Sequence, residues 1–188
     1  IEFVEEQNDQ KKPFFLYLAH YAPHAPIQAP EERIQKCLER YKPGVVQLQQ
    51  ARFERQKKLG VAPKNAVLRN QSGSWNKLSA QQKNTWMRTM ATYAAMIEIM
   101  DDGIGQLIDV LKKNGQYENT LIFFLSDNGS TPERKNVGAD LCASLSNTPF
   151  SGVKAQTFEG GISSPFIFSW PKKLVKYGGQ IRHVHCHI

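Results

Sequence analysis

The residues Trp86, Met90, Tyr93, Ile97, Met100, Ile104, Leu107 and Leu111 recur at alternating spacings of four and three. That rhythm draws one apolar stripe along a long helix. Ser79 is placed to cap its start, and Asn114-Gly115 supplies the stop. A stripe of this length must be covered, so the rest of the chain has to provide elements that pack on it. Its Met and aromatic residues read as core rather than as a cofactor-binding face.

The segment after the stop reads differently. Leu121-Ile122-Phe123-Phe124-Leu125 has no polar alternation, as expected of a central strand with helices on both faces. It runs into Ser126-Asp127-Asn128-Gly129, followed by loop to about Ser151. Phe14 to Ala19 is a second strand candidate, and Phe166-Ile167-Phe168 a short third one. Helices are expected over Glu31–Tyr41 and over Val45–Leu59, the latter ended by Gly60, while residues 62–79 read as irregular. The prolines at 23, 26 and 30 make the intervening stretch a loop. This order predicts an α/β fold with a largely parallel or mixed sheet flanked by helices.

Composition narrows the function. The 188 residues are 40% hydrophobic and 22% charged, ordinary values for a globular chain. The net charge of +7 is scattered among acidic residues with no five-residue basic block, which argues for a mixed solvated surface and against a nucleic-acid partner. No apolar run is long enough to span a bilayer. Cys37, Cys142 and Cys186 make no paired framework and leave the redox compartment open. The chain starts at Ile1 without Met and stops at His187-Ile188, so it is expected to be an internal piece, residues 1–188 forming part of one domain.

In open α/β sheets, ligands bind beyond the carboxyl ends of the strands. The first strand candidate leads to His20 and His24, the next to Asp127-Asn128. If the strands are parallel neighbours, these groups meet at one edge. Asp127 and Asn128 offer a carboxylate and an amide carbonyl, both hard ligands for Ca²⁺ or Mg²⁺, although Asp-Asn-Gly is also a common turn and two ligands do not complete a Ca²⁺ shell. Lys154 either holds an anion or is a solvated surface lysine. Glu159-Gly160-Gly161 implies a tight backbone feature. His183, His185 and His187 would share one strand face, but zinc sites draw ligands from separated segments, so specific metal binding there is disfavoured. His20 is read as structural.

Several of these motifs together resemble the sulfatases of the alkaline-phosphatase-like superfamily. They are Pro13–Ala19 through His24-Ala25-Pro26, Met100-Asp101-Asp102-Gly103-Ile104-Gly105, Asn119–Gly129, and Lys154 with Glu159-Gly160-Gly161-Ile162 and Pro165. Arg52, Arg55-Gln56, Leu59-Gly60, Trp75, Leu78-Ser79 and Ser146–Phe150 are similar to the microbial arylsulfatase branch. The resemblance covers nearly the whole chain. It implies an active-site Ca²⁺ held in part by Asp127 and Asn128, a sulfate oxygen bound by Lys154, and His24 near the leaving-group oxygen. It implies attack by a hydrated formylglycine made from Cys or Ser in a Cys/Ser-x-Pro-x-Arg motif. The substrate would be a sulfate-ester small molecule or glycan, and the compartment exported or lysosome-like.

The pattern is incomplete. The 188 residues contain no Cys/Ser-x-Pro-x-Arg, and the early aspartate pair and the first lysine-and-histidine pair are missing. The expectation is an alkaline-phosphatase-like domain incomplete at both ends, inactive alone and weak in Ca²⁺ binding. Rival expectations are a phosphodiesterase or phosphonate hydrolase of the same superfamily and a non-catalytic truncated homologue. The natural ester and the oligomeric state are not legible from these motifs.

Overall fold

A computed structural model describes residues 1–9, 11–68, 72–131 and 139–180. The helices are α1 (Glu2–Asp9), α2 (Glu31–Leu38, continued by a 3-10 turn at Glu39–Tyr41), α3 (Gly44–Leu59), α4 (Ser72–Asn76) and α5 (Ala80–Lys113). Strand β1 (Ile122–Leu125), α6 (Ala139–Asn147), α7 (Glu159–Ile162), β2 (Phe166–Ser169) and α8 (Pro171–Leu174) follow. Among the described residues, no helix is long and apolar enough to cross a membrane.

Helix α5 extends for 34 residues because both its ends are well made. Ser79 Oγ accepts from Gln82 N–H at 3.2 Å, and Gln82 Oε1 accepts in return from Ser79 N–H at 2.8 Å. This reciprocal pair satisfies two donors that the first turn would otherwise leave open. Lys112 and Lys113 oppose the negative end of the helix dipole. Beyond Asn114, Gly115 turns the chain at φ +69°, where a side chain would be strained. Helix α3 ends in the same manner at Gly60, φ +76°.

Two faces of α5 are covered. Trp86 and Met90, from the expected stripe, pack with Val45 of α3 and with Leu141, Cys142 and Leu145 of α6. Trp86 is fully buried, with Trp75 and Tyr41 meeting it edge-on at ring-centroid distances of 5.0 and 6.1 Å. The second face is not part of the stripe. Ala91 and Ala95 are small enough to let α2 approach and bury Ile34 and Cys37. Farther along, Ile97 of the stripe is 36% exposed.

Charge sets the register of α2 on α5. Arg33 donates to Asp102 at 2.7 Å, Arg40 pairs with Glu98, and Arg88 spans both oxygens of Glu31 at 3.0 and 2.6 Å. Cys37 Sγ donates to Glu98 at 3.6 Å. Hydrogen bonds from Arg88 and then Gln35 hold the Glu31 carboxyl down at about 2. A depressed carboxyl contributes stability that is complete above its unfolded pKa, near 4.3, and is lost as pH falls toward about 2. Glu31→Gln is therefore expected to flatten the fall in melting temperature between roughly pH 5 and pH 2. A slope equal to wild type would show that the pair adds nothing. Because these side chains are exposed, the effect should shrink at high salt.

The sheet departs from expectation. β1 pairs antiparallel with β2, with Ile122 opposite Ser169 and Leu125 opposite Phe166. Among the described residues the sheet has these two strands alone, so the largely parallel sheet is not what they form. The segment Phe14 to Ala19, expected as a strand, has no ladder; Phe15 and Tyr17 are 89% and 82% exposed. An extended segment becomes a strand only with a neighbour to take its backbone bonds, and among the described residues no strand pairs with this one. Two helices fall where loop was expected. One is the short α4; the other is α6, whose Leu141, Cys142 and Leu145 are buried at helical spacing.

Candidate active site

The Asp127 loop leaves β1 and is bonded to the lysine loop almost entirely through backbone. Ser126 N–H donates to Pro165 O at 3.3 Å and Gly129 N–H to Gly161 O at 3.0 Å. Ser130 O accepts from Lys154 N–H at 2.9 Å. The side chain of Asn147, the last residue of α6, joins the same two loops. Its Oδ1 accepts from Ser130 N–H and its Nδ2 donates to Gly152 O, each at 2.9 Å.

Glycines make this approach possible. A Cβ on Gly129 would overlap the Gly160 carbonyl oxygen and come within 2.7 Å of its carbon. One on Gly160 would lie 2.7 Å from Ser151 O, and one on Gly161 would strike the carbonyls of Gln156 and Val153. Gly160 and Gly161 are buried in the single turn α7. The tight feature expected of Glu159-Gly160-Gly161 is thus a backbone-on-backbone seam between two loops. Just after Lys154, Ala155 turns the chain at φ +68°, a sparsely populated conformation for alanine.

The seam puts Asp127, Asn128 and Lys154 on one loop cluster. Asp127 is exposed. Asn128 donates its Nδ2 to Gly129 O at 3.0 Å, which leaves the amide oxygen as its acceptor for an outside group. A carboxylate and an amide oxygen on adjacent residues suit a hard cation such as Ca²⁺. Two such oxygens begin a coordination shell of six to eight without filling it. Among the described residues no group of three or more His, Cys, Asp or Glu could hold a metal. Lys154 is half-buried, and no carboxylate among the described residues pairs with its ammonium.

His24 lies on the loop before α2. Its Nδ1 is 2.8 Å from Ala25 O, its ring packs at 5.3 Å on Tyr21, and Tyr21 Oη donates to Ala25 O at 2.7 Å. His20 lines an open depression of about 290 Å³ with Ala22, Gln28, Met96, Ile99, Met100 and Gly103. The hydrogen bonds that build the Asp127–Lys154 seam come from residues 147–165, not from this loop. His183, His185 and His187 lie outside the described residues.

With that geometry in view, comparison with known proteins places the chain. The family model described as Sulfatase matches residues 1–187. The chain belongs to the sulfatase family. The arylsulfatase of Klebsiella aerogenes is 32% identical over 191 residues, covering 86% of this chain and 41% of that protein. An uncharacterized sulfatase of Schizosaccharomyces pombe is 41% identical over 138 residues, which is 68% of this chain and 25% of the relative. Among solved structures, Ps i-CgsB in complex with k-i-k-neocarrahexaose aligns with a TM-score of 0.53 at 33% identity, over 91% of this chain and 26% of its own. The fold is thus shared with part of Ps i-CgsB, and the chain spans between a quarter and two-fifths of these proteins' lengths.

Proposed function

We propose that this chain supplies part of the active site of an arylsulfatase-like sulfuric ester hydrolase. The observation that carries the reading is the backbone seam, which joins a hard-cation ligand pair to a lysine with no carboxylate partner among the described residues. Asp127 and Asn128 would hold Ca²⁺ through a carboxylate and an amide oxygen. When bound, that ion supplies positive charge against the sulfuryl oxygens. Lys154 contributes a second positive charge to the same group, and its backbone bond to Ser130 keeps the two charges in register. His24 donates a proton or hydrogen bond to the leaving oxygen. The nucleophile in this reading is a formylglycine outside these 188 residues, which contain no Cys/Ser-x-Pro-x-Arg.

The substrate class is a sulfate ester, carried by a small molecule or a glycan, and the compartment an exported or lysosome-like one. Calorimetric titration of the complete protein with Ca²⁺ tests the ligand pair. Asp127→Asn keeps the size of the side chain and removes its charge, and is expected to weaken Ca²⁺ binding about tenfold or more. Unchanged affinity would remove Asp127 from the metal site.

A further inference from the structure

We propose that Asn147 is a positioning residue that fixes the distance between the metal-ligand loop and the anion-binding lysine; this rests on the sulfate-ester reading above. The amide uses both its ends. Oδ1 accepts from the Ser130 N–H, three residues after Asp127, and Nδ2 donates to the Gly152 carbonyl, two residues before Lys154. Ser130 is bonded on its other side as well, its carbonyl accepting from Lys154 N–H. Asn147 and Ser130 thus bind the two loops in a closed set of three hydrogen bonds of 2.9 Å.

What gives the clamp its authority is where Asn147 stands. It ends α6, whose Leu141, Cys142 and Leu145 are locked in the core against Trp86 and Val45. Two glutamines of α3 reach across to α6 and the residue after it. Gln49 donates to Ser144 Oγ at 3.2 Å and Gln56 to Thr148 O at 2.8 Å. Among the described residues, neither active loop packs its own apolar side chains into that core cluster. Asn147 is therefore the side chain through which a rigid helix sets the geometry of both loops. Of the other side chains only Gln carries the same amide donor and acceptor, and Gln adds a methylene.

The two arms can be cut separately. Asn147→Asp keeps an acceptor for Ser130 N–H and loses the donor to Gly152, so the lysine side loosens alone. Asn147→Ala loses both arms. In the complete enzyme, Asn147→Asp is expected to speed amide exchange at Lys154, with Ser130 still protected. It should raise KM for a sulfate ester about three- to tenfold, leaving Ca²⁺ affinity near wild type. Asn147→Ala should also deprotect Ser130 and weaken Ca²⁺ binding by a similar factor. Exchange at Ser130 and Lys154 unchanged in both variants would overturn the clamp. So would a lowered melting temperature with KM and Ca²⁺ affinity at wild-type values. If Asn147→Ala does not fold, the isosteric Asn147→Asp decides the matter on Lys154 exchange and KM. Should Lys154→Ala and Asp127→Asn leave KM and Ca²⁺ affinity untouched, the sulfate-ester reading fails. Amide exchange at Ser130 in Asn147→Ala then still tests the clamp: faster exchange supports it and unchanged exchange overturns it.

Discussion

In the complete enzyme, Lys154→Ala is expected to lower kcat/KM on a sulfate ester by about a hundredfold or more, the scale seen when one preorganised charge or donor is removed from a developing anion. The melting temperature should move by no more than about a degree, because Lys154 supports the fold through its backbone N–H to Ser130 O, which alanine retains. The separation of the two readouts is the point. A lysine that served the fold would lose stability and activity together. A solvated lysine would lose neither, and near-normal turnover would remove Lys154 from sulfate binding. Lys154→Arg provides a further check, since a planar fork is a poor replacement for a compact ammonium where a point charge is required.

The larger structural effect is expected at Gly129. Alanine there would drive its methyl into the Gly160 carbonyl, a backbone atom with no rotamer to change. One of the two loops has to move, at a cost of at least the ~1–3 kcal/mol typical of overpacking. Moving either loop breaks the bond from Gly129 N–H to Gly161 O and carries Asp127 away from Lys154. Gly129→Ala is therefore expected to lose measurable Ca²⁺ binding and turnover together. The control is Gly103→Ala on α5, where a Cβ meets open space, and which should be neutral or slightly stabilising. If Gly129→Ala binds Ca²⁺ with wild-type affinity, the seam does not set the Asp127 loop.

What could be read from the sequence was what local physics writes into it. The ends of α5 and α3 were legible because Ser79, Gly115 and Gly60 act on residues three to five positions away, although the answering bond from Gln82 was not read. The stripe of α5 was legible in part: Trp86 and Met90 are buried as expected, but Ala91 and Ala95 carry the α2 contact by being small, and an apolar pattern gives alanine little weight. The family was legible from motifs in order. The direction of the β1 pairing was not, since an apolar run fits either kind of ladder and the partner lies some forty residues on. Helix α6 had a signal in the spacing of Leu141 and Leu145, obscured by the polar residues around it. The two bonds of Asn147 had none, because Ser130 lies 17 residues before it and nothing in a local pattern connects them.

The seam also divides the neighbourhood of Lys154 into positions that tolerate a new side chain and positions that do not. At Gly129, Gly152, Gly160 and Gly161 neighbouring atoms block any added carbon, so a library varied at those four codons would consist largely of misfolded members. Gln156 belongs with them in part, because its Oε1 accepts from Val153 N–H. Thr157 and Phe158 are different: both are exposed on the same loop, with Phe158 at 61%. Randomising Thr157 and Phe158 would change exposed side chains beside Lys154 and leave the backbone bonds of the seam in place.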